Sequence, residues 1–131
     1  MQAKGTILIA EDQLDIRENL VEFLTMEGYQ VLQAADGKEA YCLALTKRPD
    51  LIISDMAMPT WDGMRLLGEL RENSTLADIP VIILTAWADQ DFKREALTDG
   101  AADYLTKPFS LEQIKGICQC YLSPKRGRDE S

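Results

Sequence analysis

Short apolar runs alternate along this chain with longer stretches in which apolar residues return at helical spacing. Thr6-Ile-Leu-Ile-Ala10 is the first run and predicts a strand. From Ile16, apolar residues recur at Leu20, Phe23 and Leu24, and Gly28 closes that amphipathic segment. Tyr29 to Ala34 reads as a second strand. Asp36-Gly37 opens a helix carrying Ala40, Tyr41, Leu43 and Ala44, which Arg48-Pro49 stops. Leu51-Ile-Ile, bounded on both sides by polar residues, predicts a strand buried on both faces and ending in Asp55. After Met58-Pro59 and Asp62-Gly63 a third helix is expected to bury Met64, Leu67 and Leu70. Asn73 to Asp78 is a polar loop, and Val81 to Leu84 is a fourth strand with Thr85 at its end. A more polar helix covers roughly Gln90 to Asp99, with Phe92, Ala96 and Leu97 on its apolar side and Gly100 at its end. Asp103-Tyr104-Leu105 is a short fifth strand followed by Lys107-Pro108. Ser110 caps a last helix whose apolar face carries Leu111, Ile114, Ile117, Cys118 and Tyr121.

Five repeats of strand then helix leave connections unsuited to antiparallel pairing of neighbours. The expected fold class is therefore α/β, a doubly wound parallel sheet with five helices on its two faces, joined by right-handed crossovers. At 131 residues the chain suits one domain. The domain is expected over residues 1–122, with 123–131, lacking any apolar period, as a mobile tail or linker. A formal net charge of −8 disfavours direct nucleic-acid contact and anionic membrane surfaces. No run is long enough to span a membrane, and Cys42, Cys118 and Cys120, without metal-ligand spacing, read as reduced thiols of a cytoplasmic protein.

In a parallel sheet the carboxyl ends of all strands lie on one rim, where open α/β sheets bind ligands. The ends here are Glu11-Asp12, Asp55, Thr85 and Lys107. Read singly, Asp55 is an acid that ends a strand and Lys107 a structural partner for it. Together they place three carboxylates, a hydroxyl and an ammonium in one cleft. Crowding like charges in a partly desolvated site costs on the order of several kcal/mol unless a cation compensates. With hard oxygen ligands and no histidine in the chain, that cation is expected to be Mg²⁺.

Glu11-Asp12 after the first strand, Asp55-Met-Ala-Met-Pro-Thr-Trp-Asp-Gly63 after the third, Thr85-Ala86 after the fourth and Lys107-Pro108 after the fifth resemble the response-regulator receiver domain over Thr6 to Leu122. The resemblance implies a flavodoxin-like sheet of strand order 2-1-3-4-5. It implies that Asp55 takes a phosphoryl group from a phosphohistidine of a sensor histidine kinase or histidine phosphotransfer protein, with Mg²⁺ as cofactor. Asp12, Asp55 and the backbone carbonyl of Ala57 would hold the metal, with Glu11 acting largely through a bound water. Thr85, Ala86 and Lys107 would meet the phosphoryl group, the small Ala86 leaving a path for a bulky donor, and the Lys107–Pro108 peptide would be cis. Tyr104 matches the aromatic switch position, turning into space vacated by Thr85. The face of the fourth helix, fifth strand and fifth helix would then be read by an effector or a second copy. Such a domain is a self-phosphorylating and self-dephosphorylating switch, not an enzyme with a separate product.

Two positions depart from the polar residues that flank the hydrolytic water elsewhere: Ala57 and Trp87 offer that water little, and both are expected to lengthen the phosphorylated lifetime. Other classes fit less well. A haloacid-dehalogenase-type phosphatase needs an acid at position 57, and a flavodoxin would not place Glu11-Asp12 where its phosphate loop belongs. The competing reading is a pseudo-receiver that binds partners without being phosphorylated.

Overall fold

The computed structural model of the chain describes residues 4–86 and 90–122. Among these residues ten elements alternate strand with helix: β1 (Thr6–Ala10), α1 (Leu14–Met26), β2 (Gln30–Ala34), α2 (Gly37–Lys47), β3 (Leu51–Asp55), α3 (Gly63–Glu72), β4 (Val81–Thr85), α4 (Gln90–Thr98), β5 (Asp103–Thr106) and α5 (Leu111–Leu122). The strands form one five-stranded sheet in the order β2-β1-β3-β4-β5, every neighbouring pair parallel. Fold class and strand order are those expected.

Alternation along the strands divides the core into two layers. Leu8, Ile52, Val81 and Ile83 face α2, α3 and α4, where Ala40, Ala44, Leu66, Leu67, Leu70 and Ala96 cover them. Ile7, Ile9, Leu51, Ile53, Ile82 and Leu84 face α1 and α5, against Leu20, Leu24, Ile114 and Cys118. β3 and β4 are buried at all five of their positions, as central parallel strands must be. β2, at one edge, exposes Gln30 and Gln33.

Helix starts follow local chemistry. The Asp36 side chain accepts the Glu39 N–H at 2.8 Å and that of Asp62 accepts the Arg65 N–H at 2.8 Å. Ser110 and Gln113 form a reciprocal capping box, the Gln113 N–H donating to Ser110 Oγ at 3.1 Å and the Ser110 N–H to Gln113 Oε1 at 2.8 Å. Three apolar positions differ from expectation. Met64 is only half-buried, and Leu66, one residue before Leu67, fills the core beneath α3 instead. Leu97 and Leu111 are exposed, because each sits at the margin of its helix's narrow apolar stripe. The proposed tail, residues 123–131, lies outside the described residues.

Candidate functional site

Each of the predicted strand ends reaches the same rim. β3 runs to Asp55 itself, and the Met56 N–H still donates to Leu84 O at 2.7 Å, so the peptide that follows Asp55 is clamped against β4. On its other side the Asp55 carbonyl accepts from Ser54 Oγ at 2.9 Å. Gly63, the first residue of α3, donates its N–H to Met56 O at 2.8 Å. A Cβ there would stand 2.6 Å from Asp55 O, so only glycine lets α3 start this close to the end of β3. The Lys107 N–H donates to Thr85 O at 2.7 Å, which ties the loop after β5 to the end of β4. The Lys107–Pro108 peptide is cis.

Strand parity explains which side chains meet. Glu11 and Asp55 continue the series of Ile7, Ile9 and Ile53 that faces α1 and α5. Lys107 arrives there from the end of β5. Its Nζ lies 2.8 Å from Asp55 Oδ1 and 3.5 Å from Glu11 Oε1. Thr85 and Tyr104 belong to the opposite series, toward α4, and both are buried. The Tyr104 ring is already turned inward and packs on Phe92, their centroids 6.3 Å apart.

Carboxylate oxygens of Glu11, Asp12 and Asp55 lie within 4.8 Å of one another. Glu11 is fully buried, Asp55 is 5% exposed and Asp12 is exposed. Burial first, and then the Asp55 charge, pushes the Glu11 carboxyl above its ordinary value, only partly offset by the Gln13 N–H and Lys107. Burial pulls the Lys107 ammonium down, but its hydrogen bond to Asp55 and the charges of Asp55 and Glu11 outweigh it, so the net shift is upward. Lys107 is the only cation paired with these three acids among the described residues. The donor set fits Mg²⁺: hard oxygens, an excess of negative charge over the cation present, and no soft ligand in the cluster.

Above the acids opens a cleft of ≈ 390 Å³ lined in part by Asp12, Asp55, Ala57, Thr85, Ala86 and Lys107. The predicted site residues that the structure describes therefore lie at this cleft, beneath it (Glu11), one strand away (Tyr104), or in the adjoining loop beside it (Pro108). Trp87 lies outside the described residues. Two contributors were not anticipated. The Gln13 N–H donates to Glu11 Oε2 at 3.2 Å, and Arg17 Nη1 donates to the Glu11 carbonyl at 2.8 Å. The signal for Arg17 was available: a cation in the first turns of a helix opposes the helix dipole and calls for a specific partner.

The family profile of the response regulator receiver domain matches residues 7–119. The chain belongs to that family. It is similar to the phosphate regulon transcriptional regulatory protein PhoB of Pseudomonas aeruginosa, 39% identical over 109 residues that cover 83% of this chain and 48% of the relative. It spans about half the length of the curated relatives it matches. Among solved structures it resembles the signal receiver domain of a signal transduction histidine kinase from Syntrophus aciditrophicus, at 39% identity and TM-score 0.84 over 91% of this chain and 90% of that one. It also resembles the receiver domain of a sensor histidine kinase from Pseudomonas aeruginosa, at 33% identity and TM-score 0.80 over 92% and 98% of the two chains. That structure carries a magnesium ion coordinated in its active site cleft. Receiver domains serve two-component signalling. They are in general switches phosphorylated on an aspartate, bind Mg²⁺ in the acidic site and pair with sensor kinases. No described helix of this receiver is long and apolar enough to cross a membrane.

Proposed function

We propose that Asp55 is the phosphoacceptor of this receiver, taking a phosphoryl group from the phosphohistidine of a sensor histidine kinase or histidine phosphotransfer protein in the cytoplasm. The observation that carries the reading is Lys107 Nζ at 2.8 Å from Asp55 Oδ1, inside a cluster of three carboxylates at an open cleft. A merely structural aspartate gains nothing from two further acids beside it.

The Asp55 carboxylate attacks phosphorus in line; the P–N bond breaks as the O–P bond forms, and the departing imidazole nitrogen takes a proton. The protein's task is position and charge. Glu11, Asp12, Asp55 and the Ala57 carbonyl would hold Mg²⁺, which when bound neutralises the acids and the phosphoryl oxygens. The Lys107 ammonium moves from Asp55 to an equatorial phosphoryl oxygen, and the Thr85 hydroxyl serves a second. Ala86, exposed and small, leaves the approach open. Beside Lys107 an apolar groove of ≈ 530 Å³, lined by Ile16, Leu20, Pro108, Phe109 and Leu111, offers a seat for a helix of the donor. Output is read from the face of α4, β5 and α5 by an effector or a second copy of the chain.

The test is incubation with acetyl phosphate and Mg²⁺ followed by intact-mass measurement. Wild type should gain one phosphoryl group. Asp55→Asn should gain none while keeping its circular dichroism spectrum, and Asp12→Asn should need more Mg²⁺. Labelling of Asp55→Asn at the wild-type level would remove the assignment, and no labelling of wild type would leave a pseudo-receiver.

A further inference from the structure

Glu11 has partners at every polar atom. Its N–H donates to Ala34 O at 3.0 Å, Oε1 lies 3.5 Å from Lys107 Nζ, and Oε2 accepts the Gln13 N–H at 3.2 Å. Its carbonyl is held by Arg17, whose Nη1 donates to it at 2.8 Å. The same guanidinium reaches across to β2, where Nε donates to Gln33 Oε1 at 3.1 Å.

That carbonyl belongs to the peptide linking Glu11 to Asp12. A peptide is planar, so its oxygen, the Asp12 nitrogen and the Asp12 Cα move as one body. Holding the oxygen fixes where Asp12 leaves the strand end. Asp12 itself is exposed and forms no ion pair among the described residues. The aim of its carboxylate is therefore set from behind, by the main chain, and Gln33 holds the guanidinium in place.

We propose that Arg17 is a positioning residue for the acid cluster: by gripping the Glu11–Asp12 peptide from α1, with Gln33 as its anchor, it presets Asp12 for a divalent cation. This inference rests on the reading of Glu11, Asp12 and Asp55 as the metal site. The sign of its consequence separates it from simpler roles. A guanidinium near a cation site repels the incoming ion, so if Arg17 acted only as a charge, its removal would tighten binding. If it served stability alone, its removal would lower the melting temperature and leave affinity unchanged. A positioning role requires weaker binding, and loss of a group that orients a metal ligand costs about tenfold in affinity or more.

The experiment titrates the full chain with Mn²⁺, reading free ion by electron paramagnetic resonance with Mg²⁺ as competitor, and records a melting curve for each variant. Arg17→Ala is expected to weaken Mn²⁺ and Mg²⁺ binding about tenfold. Arg17→Lys should recover part of that loss, since an ammonium can grip the carbonyl but cannot also reach Gln33 with a rigid fork. Gln33→Leu, at an exposed position that leaves the core untouched, should weaken binding by a smaller factor. If Arg17→Ala binds as wild type or tighter while Asp12→Asn is impaired, the positioning role is overturned and the metal site stands. If Asp12→Asn also binds as wild type, both fall. If Arg17→Ala does not fold, the lysine and Gln33 variants decide, and wild-type affinity in both overturns the proposal.

Discussion

Ala57 stands two residues beyond Asp55, the proposed acceptor, exposed at the wall of the cleft. Its carbonyl can serve a cation, but its methyl group can neither donate to nor accept from a water approaching the phosphoryl group opposite the Asp55 oxygen. Asparagine at this position should orient that water and shorten the life of the aspartyl phosphate. An effect of about tenfold corresponds to roughly 1.4 kcal/mol in the barrier, the scale of one hydrogen bond. Decay of the phosphorylated protein measured by mass for wild type and Ala57→Asn checks this; equal or slower decay of the variant rejects it. A second side chain is set by the opposite circumstance. Cys118 is fully buried on the inner face of α5, and burial pushes its thiol up from 9.0 to about 12. Because its folded value is raised, the neutral thiol's contribution to stability is complete below pH 9.0 and falls as pH rises toward about 12. At pH 8.5, iodoacetamide should modify the exposed Cys42 and Cys120 readily and reach Cys118 only on unfolding, which peptide mapping with and without urea will show.

The loop from β3 to α3 carries a strain that its flanking elements maintain. Thr60 has φ of 66°, a left-handed conformation that a β-branched residue reaches only at a cost of about 1–2 kcal/mol. Clamped ends hold it there: Met56 is bonded to β4 and to Gly63, and Asp62 caps α3. Glycine relieves the strain but loses more chain entropy on folding, so Thr60→Gly should gain about 0.5–1 kcal/mol net. A rise in the urea midpoint at unchanged slope would show it, and Thr60→Val, which keeps the branch, should gain nothing. Nothing in the sequence announces this strain, whereas much of the surrounding architecture could be read there. The strands announced themselves because both faces of β1, β3 and β4 are buried and leave unbroken aliphatic runs, and the site announced itself because it lies at their ends. Helix faces were less legible. Leu66 falls beside Leu67, where a periodicity count credits only one of them, and Leu97 and Leu111 satisfy the period yet sit at its exposed margin. Long polar side chains that bond to main chain were invisible. Arg71 donates to the carbonyls of Gly100, Ala77 and Ile79 at 3.1, 2.8 and 2.9 Å, and Arg17 grips Glu11, because an arginine's partners depend on tertiary placement rather than on spacing.

Across the whole molecule the two faces of the sheet divide the work. The proposed chemistry sits with Glu11, Asp55 and Lys107 on the side of α1 and α5, while Thr85 and Tyr104 connect the same rim to α4 on the other side. α4 is lightly attached: among its described residues only Ala96 is fully buried, with Phe92 half-buried against the Tyr104 ring. A hydroxyl drawn from Thr85 toward a phosphoryl group would alter the packing in front of Tyr104, and through Phe92 the seat of α4. Such a device transmits a signal only if the partner binds the two arrangements unequally; equal affinity shifts nothing. Moving an evenly balanced pair to ten to one requires about 1.4 kcal/mol of difference, at the upper end of the roughly 0.5–1.5 kcal/mol that one aromatic pair contributes. Beryllofluoride with Mg²⁺, bound at Asp55 in place of the phosphoryl group, should therefore shift amide resonances at Thr85, at Tyr104 and along α4, including Phe92. Tyr104→Ala should keep the changes around Asp55 and Thr85 but lose most of those in α4. Were α4 to respond fully without the Tyr104 ring, the signal would be travelling through the backbone of the loop after β4, and the aromatic pair would be packing alone.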